Sequence, residues 1–200
     1  MTEAYTGPRF TTLFLARKIP KHSGIKKLFK WGNTFADLGL VREVSDGFAG
    51  NMSFRTKDGF IITAARANLE NLRENDIVEV TDVDDDKRET IAIGKKEPSS
   101  ESFLHHAIYQ KRFDIHAIFH IHDEEVLNYQ DKLHLPVTEN EQPYGTLKLV
   151  KEVLKVFKHH NYIIIKNHGI LSLGNTMERA GQEALRLHNQ AIRFQSLQGG

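Results

Sequence analysis

The chain has 200 residues, 40% of them hydrophobic and 26% charged, an ordinary soluble composition and a length that suits one domain with a sizeable core. With 27 basic residues against 26 acidic ones and a net charge of +1, it shows no electrostatic footprint for nucleic acid or an anionic membrane, so a small-molecule partner is expected. Cysteine is absent, which excludes disulfides, thiolate metal sites and thiol nucleophiles and leaves any metal to histidine and carboxylate.

Met1 to Gly24 has neither a continuous apolar core nor a small-residue cleavage site, and no later stretch approaches a spanning length, so the expected setting is cytoplasmic. Residues 1–23 show no clean period and read as an irregular arm or short extra element ahead of one domain over 24–200. Ile25, Leu28, Phe29, Phe35 and Leu38 then recur at helical spacing, with Gly39 where a helix would end. Short runs at Met52 to Arg55, Phe60 to Thr63, Ile77 to Thr81 and Thr90 to Ile93 read as antiparallel strands separated by Lys57-Asp58-Gly59 and the acidic turn Asp84 to Asp86. Pro98-Ser99-Ser100 opens a helical segment to Lys111, Ile115 to Ile121 reads as a buried strand, and Asp123 to Gln130 as a short helix. After a loop to Gly145, Thr146 can cap a helix to His159, strands follow at Tyr162 to Ile165 and Ile170 to Leu173, and Thr176 can cap a long last helix.

In Ile118-Phe119-His120-Ile121-His122 the two histidines are two positions apart on a strand, so both imidazoles leave one face while Phe119 and Ile121 face the other. One metal ion is within reach of both rings. A catalytic zinc takes three protein ligands and keeps a position open, and the candidate third ligand is His168, after an apolar run and directly before Gly169. With 11 histidines in the chain, spacing alone leaves packed strand histidines as an equal alternative.

Glu101 opens the next helical segment with His105 one turn on, and two roles are open to it. It is either a first-turn acid favouring the helix dipole or a general base whose proton affinity is raised by partial burial. In Gly47-Phe48-Ala49-Gly50-Asn51-Met52-Ser53 the small residues admit an anion to the backbone, and Asn51 and Ser53 add hydrogen-bonding groups. A plain strand-entry turn has the same composition.

Together Gly50-Asn51-Met52-Ser53, Pro98-Ser99-Ser100-Glu101 with His105, His120-Ile121-His122, and Asn167-His168-Gly169 followed by Gly174 resemble, in order as well as content, the class II aldolase and adducin family, over Ile25 to the last helix. The resemblance implies an α/β fold, a single domain with a central, mainly antiparallel sheet covered by helices on both sides. It implies zinc, or another divalent transition metal, on His120, His122 and His168, with Glu101 as catalytic acid and base. It further implies a sugar phosphate held by Asn51, Ser53, Ser99 and Ser100, and a homo-oligomer, typically a tetramer.

One family loop is not matched: Thr63-Ala64-Ala65-Arg66 stands where Pro, Ser or Thr, and Gly are usual. Losing that glycine closes off backbone approach to an anion, while Arg66 offers a bidentate contact to phosphate or carboxylate or else a solvated surface arginine. The tyrosine that some family aldolases take from a neighbouring subunit has no clear counterpart, Tyr144 being the nearest candidate.

The expected reaction is aldol cleavage of a small hydroxylated carbonyl substrate through a metal-stabilised enediolate. Glutamate rather than aspartate after the serine pair disfavours the family's epimerases. The alternatives are a sugar-phosphate dehydratase and an adducin-like binding module without metal chemistry. A cupin site is disfavoured because Glu124 and Glu125 come too early after His-x-His, and an amidohydrolase barrel because it needs about 250 residues.

Overall fold

The computed structural model describes residues 10–44 and 47–197. Its strands, in chain order, are β1 (Thr11–Ala16), β2 (Glu43–Val44), β3 (Gly47–Phe48), β4 (Asn51–Arg55), β5 (Phe60–Thr63), β6 (Ile77–Asp84), β7 (Glu89–Gly94), β8 (Ala117–Ile121), β9 (Tyr162–Ile165) and β10 (Gly169–Gly174). The helices are α1 (Ile25–Asp37), α2 (Ser102–Lys111), α3 (Glu124–Asn128), α4 (Gln130–Leu133), α5 (Leu147–Val156) and α6 (Met177–Ser196). Eight strands form one sheet in the order β1-β7-β6-β5-β4-β8-β10-β9, and β2 pairs with β3 in a separate ribbon. Every neighbouring pair in the large sheet is antiparallel except β1 with β7.

The helix boundaries follow local chemistry. Thr146 accepts from Leu149 N and Thr176 from Arg179 N, each satisfying an amide that the first helical turn leaves unpaired. Asp123 caps α3 through Val126 N. Gly39, with a φ of 72°, takes the left-handed conformation just past α1.

Alternation along the strands divides the core in two. Met52, Phe54, Phe119, Ile121 and Ile170 pack with α1 and α6, through Leu28, Phe35, Ala184 and Leu187. Ile62, Val78, Ile118, Ile163 and Leu171 pack on the other face, with Leu104 and Ile108 of α2 and Val153 of α5. The expected sheet with helices on both sides is what forms. Among the described residues no helix is long and apolar enough to cross a membrane.

The segment expected as an irregular arm or short extra element contains a strand. Thr11–Ala16 pairs in parallel with β7, Leu13 lying opposite Ile91, and extends the sheet by a strand. Its sequence hides this because both faces carry apolar residues: Phe14 packs on the α2 side, while Leu13 and Leu15 stay 46% and 66% exposed. The first nine residues of the expected arm lie outside the described residues.

Phe119 centres the α1 face, with ring centroids 5.6 Å from Phe35 and 6.0 Å from Trp31. Phe119→Ala is expected to cost about 3–5 kcal/mol of unfolding free energy, read from denaturant titrations. A loss below about 1 kcal/mol would show that this layer does not hold β8 in place.

Candidate metal centre

β8 delivers the first pair of imidazoles. Phe119 and Ile121 enter the α1 side of the core, so His120 turns to the opposite face, level with Asn51 of β4 and Leu171 of β10. His122 follows directly after the last strand residue. The third imidazole comes from the β9–β10 turn, where Asn167 adopts a φ of 56° and His168 N donates to the Ile165 carbonyl at 3.0 Å. This turn lays His168 over β8, with centroids 4.9 Å from His120 and 5.1 Å from His122. One nitrogen from each ring lies within 4.8 Å of the others. At Gly169 a Cβ would stand 2.7 Å from the Ile121 carbonyl oxygen and 3.0 Å from the His120 ring. Glycine there lets β10 lie flush against both β8 imidazoles.

The hydrogen bonding favours a cation. His120 Nδ1 lies 2.9 Å from the Ile170 carbonyl oxygen, which only accepts, so the proton sits on Nδ1 and leaves Nε2 with its lone pair inward. That Nε2 is 3.2 Å from His168 Nε2 and 3.2 Å from Glu101 Oε2. Lone pairs so close repel unless a proton or metal ion lies among them. Burial pushes the His168 imidazole down to about 4, against the opposing pull of Glu101, and pushes His122 well below its ordinary range. Both are therefore neutral at pH 7, the form that ligates metal. Three imidazoles without a thiolate form a donor set that fits a divalent transition metal with an open position.

Glu101 stands over this cluster, only 3% exposed. Asn51 Nδ2 donates to its Oε2 at 2.8 Å, while Oε1, 3.8 Å from His168 Nε2, is buried without a hydrogen-bond partner. The sequence suggests that burial raises its proton affinity, and burial does act in that sense. Its neighbours outweigh it: in the acid range where the carboxyl titrates, charge on His120 and His168, the Asn51 amide and charge on His105 hold it below its usual range. Glu101 is an ionised acceptor with one oxygen fixed and the other turned toward the imidazoles.

Three segments far apart in sequence converge beside it. Ala65 N donates to the Glu97 carbonyl and Ser99 N to the Thr63 carbonyl, stitching the Thr63–Arg66 loop to the start of α2. Arg66, with a φ of 60°, lies against Gly47, whose Cβ would approach Arg66 Cβ to 2.6 Å. Gly145 packs on Ser100, which brings the Tyr144 segment to the same place.

The comparisons with known proteins agree with this geometry. Residues 26–192 match the family model for the class II aldolase and adducin N-terminal domain. The chain belongs to the class II aldolase/adducin family. It is 33% identical over 159 residues to the L-fuculose phosphate aldolase of Methanocaldococcus jannaschii, covering 72% of this chain and 83% of that protein. It is 28% identical over 166 residues to the 5-methylthioribulose-1-phosphate/5-deoxyribulose-1-phosphate aldolase of Rhodospirillum rubrum, covering 76% and 72%. Among solved structures, an L-fuculose 1-phosphate aldolase superposes with a TM-score of 0.70 at 24% identity, over 90% of this chain and 89% of that one.

Ser53, expected at the substrate, faces α2. Its side chain is fully buried, and its hydroxyl is engaged by His105 Nδ1 and the Tyr109 hydroxyl, each at 2.7 Å. The physical reason is strand alternation, which aims Ser53 at α2, where those two side chains close over it. Asn51, expected at the phosphate, is occupied at its amide nitrogen by Glu101, though its Oδ1 is buried and unpartnered. Tyr109 was not among the expected site residues, although it follows His105 by one helical turn and shares its face.

A consequence for stability follows from two buried imidazoles. Burial takes His105 from 6.5 to about 3 and His168 from 6.5 to about 4. As the pH falls below 6.5 the unfolded chain takes up these protons first, so metal-free protein loses stability down to about pH 4 and then about pH 3. Between pH 7 and 5 each group is expected to remove about 2 kcal/mol, measured by denaturant unfolding of metal-free protein. An unchanged midpoint would mean that these rings are already charged in the folded state.

Proposed function

We propose that this protein is a cytoplasmic, homotetrameric zinc-dependent lyase that cleaves a sugar phosphate by a retro-aldol reaction. The observation that carries this reading is the cluster of His120, His122 and His168 with the buried Glu101 carboxylate against it. A zinc ion on the three imidazoles would supply Lewis-acid charge to the carbonyl and hydroxyl oxygens of the substrate.

The chain's own groups do the rest. In cleavage the hydroxyl β to the carbonyl loses its proton, the bond between the α and β carbons breaks with its electron pair passing toward the carbonyl oxygen, and a proton is delivered to the α carbon. Glu101, ionised at the start, accepts the hydroxyl proton and returns it to the α carbon: Asn51 fixes Oε2, so Oε1 is the oxygen left to act. Ser99, Ser100 and Arg66 hold the anionic end of the substrate. Ser99 is anchored for this, its hydroxyl accepting from Glu101 N at 3.3 Å. The low exposure of Glu101 keeps bulk water from the proton being moved.

The test combines metal analysis with a substrate panel of L-fuculose 1-phosphate, 5-deoxyribulose 1-phosphate and their unphosphorylated counterparts, scored for the three-carbon product. Wild-type protein is expected to hold one zinc per chain and to cleave a phosphorylated member. Glu101→Gln is expected to keep the metal and lose about a hundredfold or more in kcat, whereas His122→Ala loses both metal and turnover. Full turnover in zinc-loaded Glu101→Gln would remove Glu101 from its role. Zinc-loaded wild type that consumes a panel sugar without releasing a three-carbon product would make the enzyme a dehydratase.

A further inference from the structure

The segment between α4 and α5 braces the turn that presents His168. Pro136 and Thr138 pair with Ile164 on the outer edge of β9, and Thr138 Oγ1 accepts from Lys166 N at 3.0 Å. Lys166 Nζ then donates to the Glu139 carbonyl at 3.1 Å, and Asn140 is held by Glu152 of α5 through its backbone and side-chain nitrogens. Beyond these anchors the segment ends at Gly145, packed on Ser100 beside Glu101. Between them Glu141 Oε2 accepts from Asn167 Nδ2 at 2.8 Å. Asn167 is the left-handed residue of the turn, and the next residue is His168.

We propose that Glu141 is a positioning residue for the third metal ligand: by holding the Asn167 side chain from a braced segment, it fixes the turn that aims His168 at His120 and His122. The inference rests on reading the three imidazoles as a zinc site. Asparagine tolerates the left-handed region without requiring it, so the Asn167 side chain is a further tether on a turn that the His168 N to Ile165 carbonyl bond closes. A hydrogen bond to a carboxylate is stronger than a neutral one. Because Glu141 and Asn167 are both exposed, substituting them leaves the two core clusters intact.

Partners that orient metal ligands are worth about 10–100-fold in affinity when they touch the ligand itself. Acting one residue away and in solvent, Glu141 is expected to contribute about three- to tenfold. The zinc dissociation constant of the full chain, measured by competition with a chromophoric chelator, reads this directly. Glu141→Ala is expected to weaken zinc binding by that factor, while Glu141→Gln, which keeps an acceptor oxygen, stays within about twofold of wild type. Asn167→Gly keeps the positive φ and loses the side chain, so it should match Glu141→Ala, and the double variant should be no weaker than either single one. The thermal midpoint of the metal-free variants should stay within about 2 °C of wild type.

Wild-type protein that binds no zinc would refute the metal site itself. Zinc binding in wild type that is unchanged by Glu141→Ala would overturn the positioning role alone. Glu141→Gln as weak as Glu141→Ala would show the charge of Glu141 acting on the ion directly. Additive effects in the double variant would show that Glu141 does not act through Asn167, and either result overturns the proposal.

Discussion

The hydrogen bond from His120 Nδ1 to the Ile170 carbonyl is the constraint on which the site depends. It crosses between two antiparallel strands whose register pairs His120 with Leu171, so the sheet itself selects the tautomer. With the proton placed there, Nε2 has only a lone pair to offer, and it offers it where His168 and Glu101 also point. The sheet register, the glycine at position 169 and the β9–β10 turn all serve the same close approach. A slip of one residue between β8 and β10 would send the imidazole into the aliphatic layer beneath α1.

Part of this was legible in the sequence because part of it is periodic. The two-residue spacing of His120 and His122 on an apolar strand fixes their common face, and Phe119 and Ile121 do enter the opposite core. His168 is different in kind. Its distance from β8 depends on a hairpin and on sheet order, neither of which leaves a local period, so only the order of motifs along the chain pointed to it. The same limit hid Thr11–Ala16: an edge strand that buries one face weakly and leaves leucines on the other has no alternation to read. Ser53 shows a third limit, since its strand position was legible but not the closure of His105 and Tyr109 over its hydroxyl.

Glu101 shows why direction of shift and degree of burial must be weighed together. A carboxylate 3% exposed in an apolar setting would gain a proton. Here the amide of Asn51 and the surrounding imidazoles reverse that outcome. The carboxylate is held ionised by the residues that also orient it, so its ionisation and its position have one origin. Asn51 reaches it because β4 pairs with β8 in the register that sets Asn51 beside His120. Glu101, at the start of α2, is thus tied through Asn51 to the sheet that carries His120.

The anionic end of the substrate is where this chain parts from its family's usual loop, and the backbone explains what the change does. The amides of Ala64, Ala65 and Ser99 are committed to the carbonyls of Asp76, Glu97 and Thr63. A glycine-bearing loop can turn such amides toward a phosphate, whereas this one has spent them on holding itself to α2. On the proposed reading, recognition of an anion then falls to side chains, with Ser99, Ser100 and Arg66 as the candidates. Side-chain recognition by a planar guanidinium suits a phosphate or a carboxylate alike. The altered loop bears on which anion would be held there and is tied through Ser99 to Glu101 as well, whereas the three imidazoles are carried by β8 and the β9–β10 turn, apart from it.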